Sequence, residues 1–215
     1  MKRTHFVVVA IAILFIHSIA PGQSQDPPKF EVAGEFTTLE RDANTTEPGF
    51  GVRFTYNLNR IFAIEAAGYF FPRSCFDCRD NGRATEALGG VKVGRRFGSW
   101  GLFGKARPGV VSFSAGNSDI VSSPKNPAFP GFPFRFETSR ATHFATDIGG
   151  VLEFYPSKRI VTRFDAGDTI IHYGSRTSNF LQFDGTTNTY TLVPFTIGSR
   201  TTHNFQFMAS VGFRF

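Results

Sequence analysis

The stretch from His203 to Phe215 limits the possible folds more than any other. Phe205, Phe207, Ala209, Val211, Phe213 and Phe215 occupy its odd positions, while Gln206, Met208, Ser210, Gly212 and Arg214 occupy the even ones. A period of two held to the final residue describes a strand with one greasy face and one polar face. A single strand of this kind has no independent stability, and an aromatic end needs a covering that water does not provide. A hydrophobic core or a lipid bilayer would supply it, provided the remaining chain contributes partner strands.

The remaining chain does so repeatedly. Phe30, Val32, Gly34 and Phe36 alternate with Glu31, Ala33, Glu35 and Thr37, giving a first strand over residues 29–39. Phe50, Val52, Phe54, Tyr56 and Leu58 define a second, and Asn59-Arg60 turns straight into a third carrying Phe62, Ile64, Ala66, Gly68 and Phe70. A fourth follows at 85–93, and a connection at 95–99 leads to a fifth from Trp100. The sixth alternates from Phe144 to Phe154, a turn at 156–159 opens the seventh from Ile160, and the stretch above is the eighth. Asp168 falls on the apolar parity of the seventh strand, so a bulge or an end is expected near Gly167. The fold class is therefore all-β, an eight-stranded antiparallel up-and-down barrel.

Connection lengths alternate between short and long. Those at 58–61, 95–99 and 156–159 are tight, whereas 41–49, 72–83, 112–140 and 174–200 are extended. Short turns on one rim and long loops on the other are the layout of a membrane-spanning barrel. Strand parity alone does not separate this from a soluble barrel, because the two patterns are the same turned inside out. The aromatics decide: Tyr56, Phe62, Phe97, Trp100, Phe154, Tyr155, Phe213 and Phe215 all lie beside the short-turn rim. From them Tyr56, Phe62, Trp100, Phe154 and Tyr155 are taken as an interfacial girdle on the periplasmic side.

On this assignment the charged parity is enclosed. Glu31, Glu35, Arg53, Glu65, Glu86, Lys92, Lys105, Arg107, Asp147, Glu153, Arg163, Asp165 and Arg214 are expected in the lumen. Eight strands leave room inside only for side chains, so these residues should fill the barrel as a compensated ion-pair network rather than line an open pore.

The amino terminus reads as an exported leader. Met1 to His5 is basic, Phe6 to Ala20 is an apolar run too short to span a bilayer comfortably, and a polar, proline-bearing stretch follows. Residues 1–25 are read as a signal peptide and 26–215 as the barrel domain. The leader takes Lys2 and Arg3 with it, so 23 basic residues become 21 against 17 acidic ones. Despite that surplus no Lys/Arg cluster interleaved with aromatics is present, and nucleic acid is not an expected partner.

Chemistry-bearing residues are few. Cys75 and Cys78 are the only cysteines, and in an exported chain they are read as a local disulfide. His143, His172 and His203 fall near the long-loop ends of strands six, seven and eight, but parity sends His143 inward and His203 outward, so no metal site is expected. No serine, histidine and acid form a recognisable catalytic set, and neither an enzyme nor a cofactor is expected. In the third long loop, four phenylalanines spaced by prolines from Phe129 to Phe136 rule against a central strand and suggest a flap over the mouth. In the fourth, 180–183 and 189–193 flank Asp184-Gly185, the pattern of a hairpin above the membrane whose edge could receive a ligand strand.

The closing residues Phe207, Ala209, Val211, Phe213 and Phe215 resemble the signal that barrel-assembly machinery reads in bacterial outer-membrane proteins. With the strand count and the loop alternation, residues 29–215 resemble the outer membrane protein A type barrel family. The resemblance implies residence in the bacterial outer membrane, contact with its lipid, and loops available to an extracellular ligand, while the chain departs from the family's larger members in that no cell-wall-binding domain is expected after the last strand. It implies a structural or surface role, with a small channel, a lipid-modifying enzyme and a soluble secreted binding barrel as the competing readings.

Overall fold

A computed structural model describes residues 27–41, 45–73, 78, 80–123 and 133–215. The leader expected over residues 1–25 lies outside the described residues. The described residues form ten strands: β1 (Phe30–Arg41), β2 (Thr45–Asn57), β3 (Phe62–Phe71), β4 (Asn81–Phe97), β5 (Trp100–Ser122), β6 (Phe134–Phe154), β7 (Ile160–Tyr173), β8 (Arg176–Asp184), β9 (Thr189–Ile197) and β10 (Arg200–Arg214). Eight of them close into a barrel in the order β1-β10-β7-β6-β5-β4-β3-β2, and β8 with β9 makes a separate hairpin.

Closure depends on the two ends of the sequence meeting. β1 and β10 pair antiparallel from Glu31 opposite Arg214 to Leu39 opposite Gln206. One step further down, Phe30 and Phe215 exchange both backbone hydrogen bonds at 3.0 and 2.9 Å, and their rings stack with centroids 5.9 Å apart. No barrel strand is left with an open edge, which a bilayer would not tolerate.

The alternation in sequence becomes an alternation in space. Val52, Val211, Phe50 and Phe144 are each more than half exposed on the outer wall, while Arg107, Lys92, Asp147 and Glu153 are fully buried inside. Water would reward the opposite arrangement. An outer wall of Phe, Val, Ile and Leu around enclosed charges requires hydrocarbon outside, at roughly 25 cal/mol for each Å² of apolar surface covered.

The strands run further than the alternation does. Residues 112–140, expected as a loop, continue the β5–β6 ladder past an irregularity between Phe113 and Asn117 up to Ser122 opposite Phe134. Above the membrane no lipid face exists, so Asn117, Ser118 and Asp119 lose the apolar period while the backbone keeps its hydrogen bonds. Phe134, buried, and Phe136, exposed, belong to β6 rather than to a flap, and the rest of the Pro-Phe segment, 126–132, lies outside the described residues. Gly167 ends nothing: it pairs with Gln206 on one side and Gly149 on the other without a register shift.

Deleting Phe215 removes two backbone hydrogen bonds and an aromatic stack from the seam, a loss of about 1–3 kcal/mol. The folded band, seen as faster migration of unboiled than of boiled protein in a detergent gel, should lose intensity in this variant, and full intensity would show that the seam does not depend on it.

Candidate functional site

Three layers fill the lumen, and each is built by inward residues at matching heights on several strands. Nearest the short turns lies a floor. Arg214 Nε donates to Glu31 at 3.1 Å, Asn57 Nδ2 donates to the same carboxylate at 2.9 Å, and Arg96 Nη2 donates to Asn57 Oδ1 at 2.7 Å. Tyr155 closes the floor rather than joining the girdle. Its hydroxyl donates to Glu153 at 2.7 Å and accepts from Arg96 at 3.0 Å, with the Arg214 guanidinium 4.4 Å from its ring centre. Tyr155 shares the parity of Glu153 and so points inward, while Phe154 does not. Gly101 leaves the space for it, since a Cβ there would lie 2.8 Å from the Tyr155 oxygen.

Above the floor is the ionic layer. Arg163 binds Glu65 with both terminal nitrogens and Asp165 through Nε at 2.5 Å. Lys92 pairs with Glu153 and, at 3.6 Å, with Glu65. Lys105 bridges Asp147 at 2.9 Å and Asp165 at 3.2 Å, and Arg107 Nε donates to Asp147 at 2.9 Å. Arg53 pairs with Glu35 at 2.7 Å, and Tyr69 donates to Glu35 at 2.5 Å. Glu86 departs from the expected network. Gln206 donates to its Oε2 at 3.0 Å, but its Oε1 is buried without a hydrogen-bond partner and no described cation comes within ion-pair distance. Its height on β4 sets it beside Gln206 and Thr37, above the level of the lysines and arginines.

The third layer was not foreseen. Leu39, Tyr69, Phe71, Leu88, Val111, Phe113, Ile171, Tyr173 and Met208 form a buried apolar cluster across the upper lumen. Gly51 lets Tyr69 cross, because a Cβ on it would fall 2.4 Å from the ring. These residues share the inward parity with the charges, which was the only signal available for them.

A polar clasp caps the apolar layer. Asp80, buried, accepts from Arg176 Nη1 at 3.0 Å and contacts His143 Nε2 at 2.5 Å, and its backbone carbonyl accepts from Arg41. Arg41 in turn pairs with Glu47 at 2.9 Å. Four connections are thereby joined at the mouth. Asp80 and Arg176 come from segments read as loops, where parity says nothing. Cys78 is buried and is not a free thiol, while Cys75 lies outside the described residues.

On the outer wall Phe97 stacks on Trp100 at 4.5 Å, Phe30 lies 5.1 Å from Tyr56, and Phe154 meets Phe164 edge-on, with Phe62 exposed beside them. Phe207, Ala209, Val211 and Phe213 have outward parity on β10, and Phe215, directly after it, is exposed. The histidines separate: His143 enters the clasp, His172 Nδ1 contacts the Thr201 hydroxyl at 3.0 Å, and His203 Nδ1 contacts Asp168 at 2.6 Å on the outside. The Thr201 hydroxyl is thus engaged by His172 rather than His203, and no nucleophile–base–acid relay is assembled here. Among the described residues no three metal-ligating side chains converge.

A charge-filled lumen within a largely apolar wall, with tight turns at one rim and long strands and loops at the other, defines an eight-stranded β-barrel of the outer-membrane type. No family model matches the chain, and no curated protein sequence matches it. Solved structures similar to it include the outer membrane protein OprG from Pseudomonas aeruginosa, with 10% identity, 90% of this chain and 98% of that chain covered, and a TM-score of 0.48. Ail, the attachment invasion locus protein of Yersinia pestis, crystallised with the heparin analogue sucrose octasulfate, gives 11%, 89%, 100% and 0.46, and Neisserial surface protein A gives 11%, 86%, 96% and 0.44.

Replacing Arg163 by Met strips Glu65 and Asp165 of their shared cation and should cost about 3–5 kcal/mol. Chemical denaturation in detergent micelles measures it. Adding Glu65→Gln should restore at least half of the loss, and an unperturbed single variant would show that the ionic layer contributes little.

Proposed function

We propose that this protein is a non-enzymatic surface barrel that works through its long-loop end, with the lumen serving as a solid support. The observation behind this reading is the filling of the lumen: ion pairs interlock in one layer, and a buried apolar cluster packs above them. The ordered structure that projects outward is large by comparison. β5 and β6 continue as a ribbon above the barrel, and the β8–β9 hairpin leans on it, with Ser178 Oγ donating to the Ser118 carbonyl at 2.9 Å and the Asn179 N–H donating to Asp119 at 2.7 Å. Phe180 against Phe195 and Phe183 against Tyr190 are aromatic pairs left exposed on that hairpin, where an extracellular ligand would be met. The outward residues of β10 would engage the assembly machinery during biogenesis, and outer-membrane lipid thereafter.

Planar-bilayer recording of the purified barrel should show no discrete conductance steps, and steps in the intact protein would replace this reading with that of a channel. Hairpin docking should also respond to acid. The Asn179 backbone N–H holds the Asp119 carboxyl below its usual range, so the contact is fully formed above the ordinary aspartate value of about 4 and is lost as pH falls through the lowered one. A spin label at Thr187 should keep constant mobility from about pH 8 to pH 5 and loosen only below about pH 4, while Asp119→Asn should loosen it already at neutral pH.

A further inference from the structure

The short-turn rim carries five exposed cations, Lys29, Arg60, Arg95, Lys158 and Arg159, and no exposed acidic side chain among the described residues. The two carboxylates nearest to it, Glu31 and Glu153, are buried in lumen pairs. The opposite end is mixed by comparison: Arg135 pairs with Glu137, Arg176 with Asp80 and His203 with Asp168. The single sign of charge therefore belongs to one end of the barrel and not to the protein at large.

The placement of these cations says what they meet. Arg95 has the outward parity of Val91, Val93 and Phe97 on β4 and lies opposite Leu102 of β5, so it stands on the lipid-facing wall itself. In the turn below, Leu58 and Ile61, each about half exposed, flank Arg60. The Phe97–Trp100 stack sits beside them. Apolar groups that require acyl chains thus interleave with cations at the depth where headgroup phosphates lie. A soluble acidic protein could reach the turn residues but would have to enter the headgroup layer to reach Arg95.

We propose that this rim is a collar for anionic phospholipids of the leaflet it borders, with Arg60, Arg95, Lys158 and Arg159 holding headgroup phosphates while Leu58, Ile61, Phe97 and Trp100 pack on the chains below. Guanidinium groups suit this task because their fork binds phosphate oxygens in pairs. The ligand is a phosphodiester lipid of net negative charge rather than a zwitterionic one, because only the former leaves charge unmatched by its own headgroup. The cations are exposed, so the preference should be screened by salt.

The test uses the complete folded barrel reconstituted in phosphatidylcholine bilayers with spin-labelled phosphatidylglycerol or spin-labelled phosphatidylcholine. The motionally restricted fraction in the electron spin resonance spectrum gives the relative association of the two lipids. About a 3-fold preference for phosphatidylglycerol is expected at low salt, falling towards unity near ~1 M salt. The variant R60Q/R95Q/K158Q/R159Q should lose the preference while keeping heat-modifiable gel mobility. R95Q alone should lose part of it, which keeps the test decisive if the multiple variant does not fold, and R83Q/R140Q at the opposite end should keep it in full. Inorganic phosphate should displace the lipid no better than chloride of matched ionic strength. Equal association of both lipids with the wild type, a preference that survives in R95Q and the fourfold variant, or selective displacement by free phosphate would overturn the proposal.

Discussion

Everything in this barrel depends on charges that are dry yet matched. Arg163 stands between Glu65 and Asp165, and Lys92 and Lys105 link the neighbouring carboxylates, so each cation in the ionic layer touches at least one acid and most touch two. Removing such groups from water costs several kcal/mol per ion, and an isolated one would not stay ionised. Enclosure by a wall only eight strands around forces the matching, because no space remains for the water that would otherwise screen them. The outer surface is then free to be largely apolar.

The same constraint governs what else fills the lumen. The ionic groups interlock, and Tyr69, Phe71, Phe113 and Tyr173 belong to the apolar cluster packed above them. Beside that cluster Gln206 links Glu86, Thr37 and Thr169, so the buried polar groups at this height are held by hydrogen bonds rather than by ion pairs.

How much of this was legible follows from where lipid imposes a period. Within the membrane the alternation at Phe50, Val52 and Phe54, or at Phe213 and Phe215, records the bilayer directly, and strand number, direction and sidedness could be read from it. Above the membrane the constraint disappears, so the continuation of β5 and β6 through Asn117 and Glu137 left no trace in the residue pattern although the ladder persists. The lumen was half legible. Parity assigned Arg53, Lys105 and Asp147 to the interior, but it has one value for both kinds of filler and could not separate the apolar cluster of Leu88 and Ile171 from the ions. Glu86 and Tyr155 show the same limit from opposite directions. One was assigned the right face but not the right neighbours, and the other was grouped by residue type when its position already pointed inward.

The clasp at Asp80 has a mechanical meaning. Arg176, the first residue of the β8–β9 hairpin, is held by Asp80 and by the Gly116 carbonyl, and two residues further on Ser178 and Asn179 are held by Ser118 and Asp119. A load applied at the hairpin tip therefore does not swing it about its junction with β7. It is shared with the adjacent stave of the barrel, so the projection behaves as a braced spar, and a force from outside the cell would be borne by the whole wall.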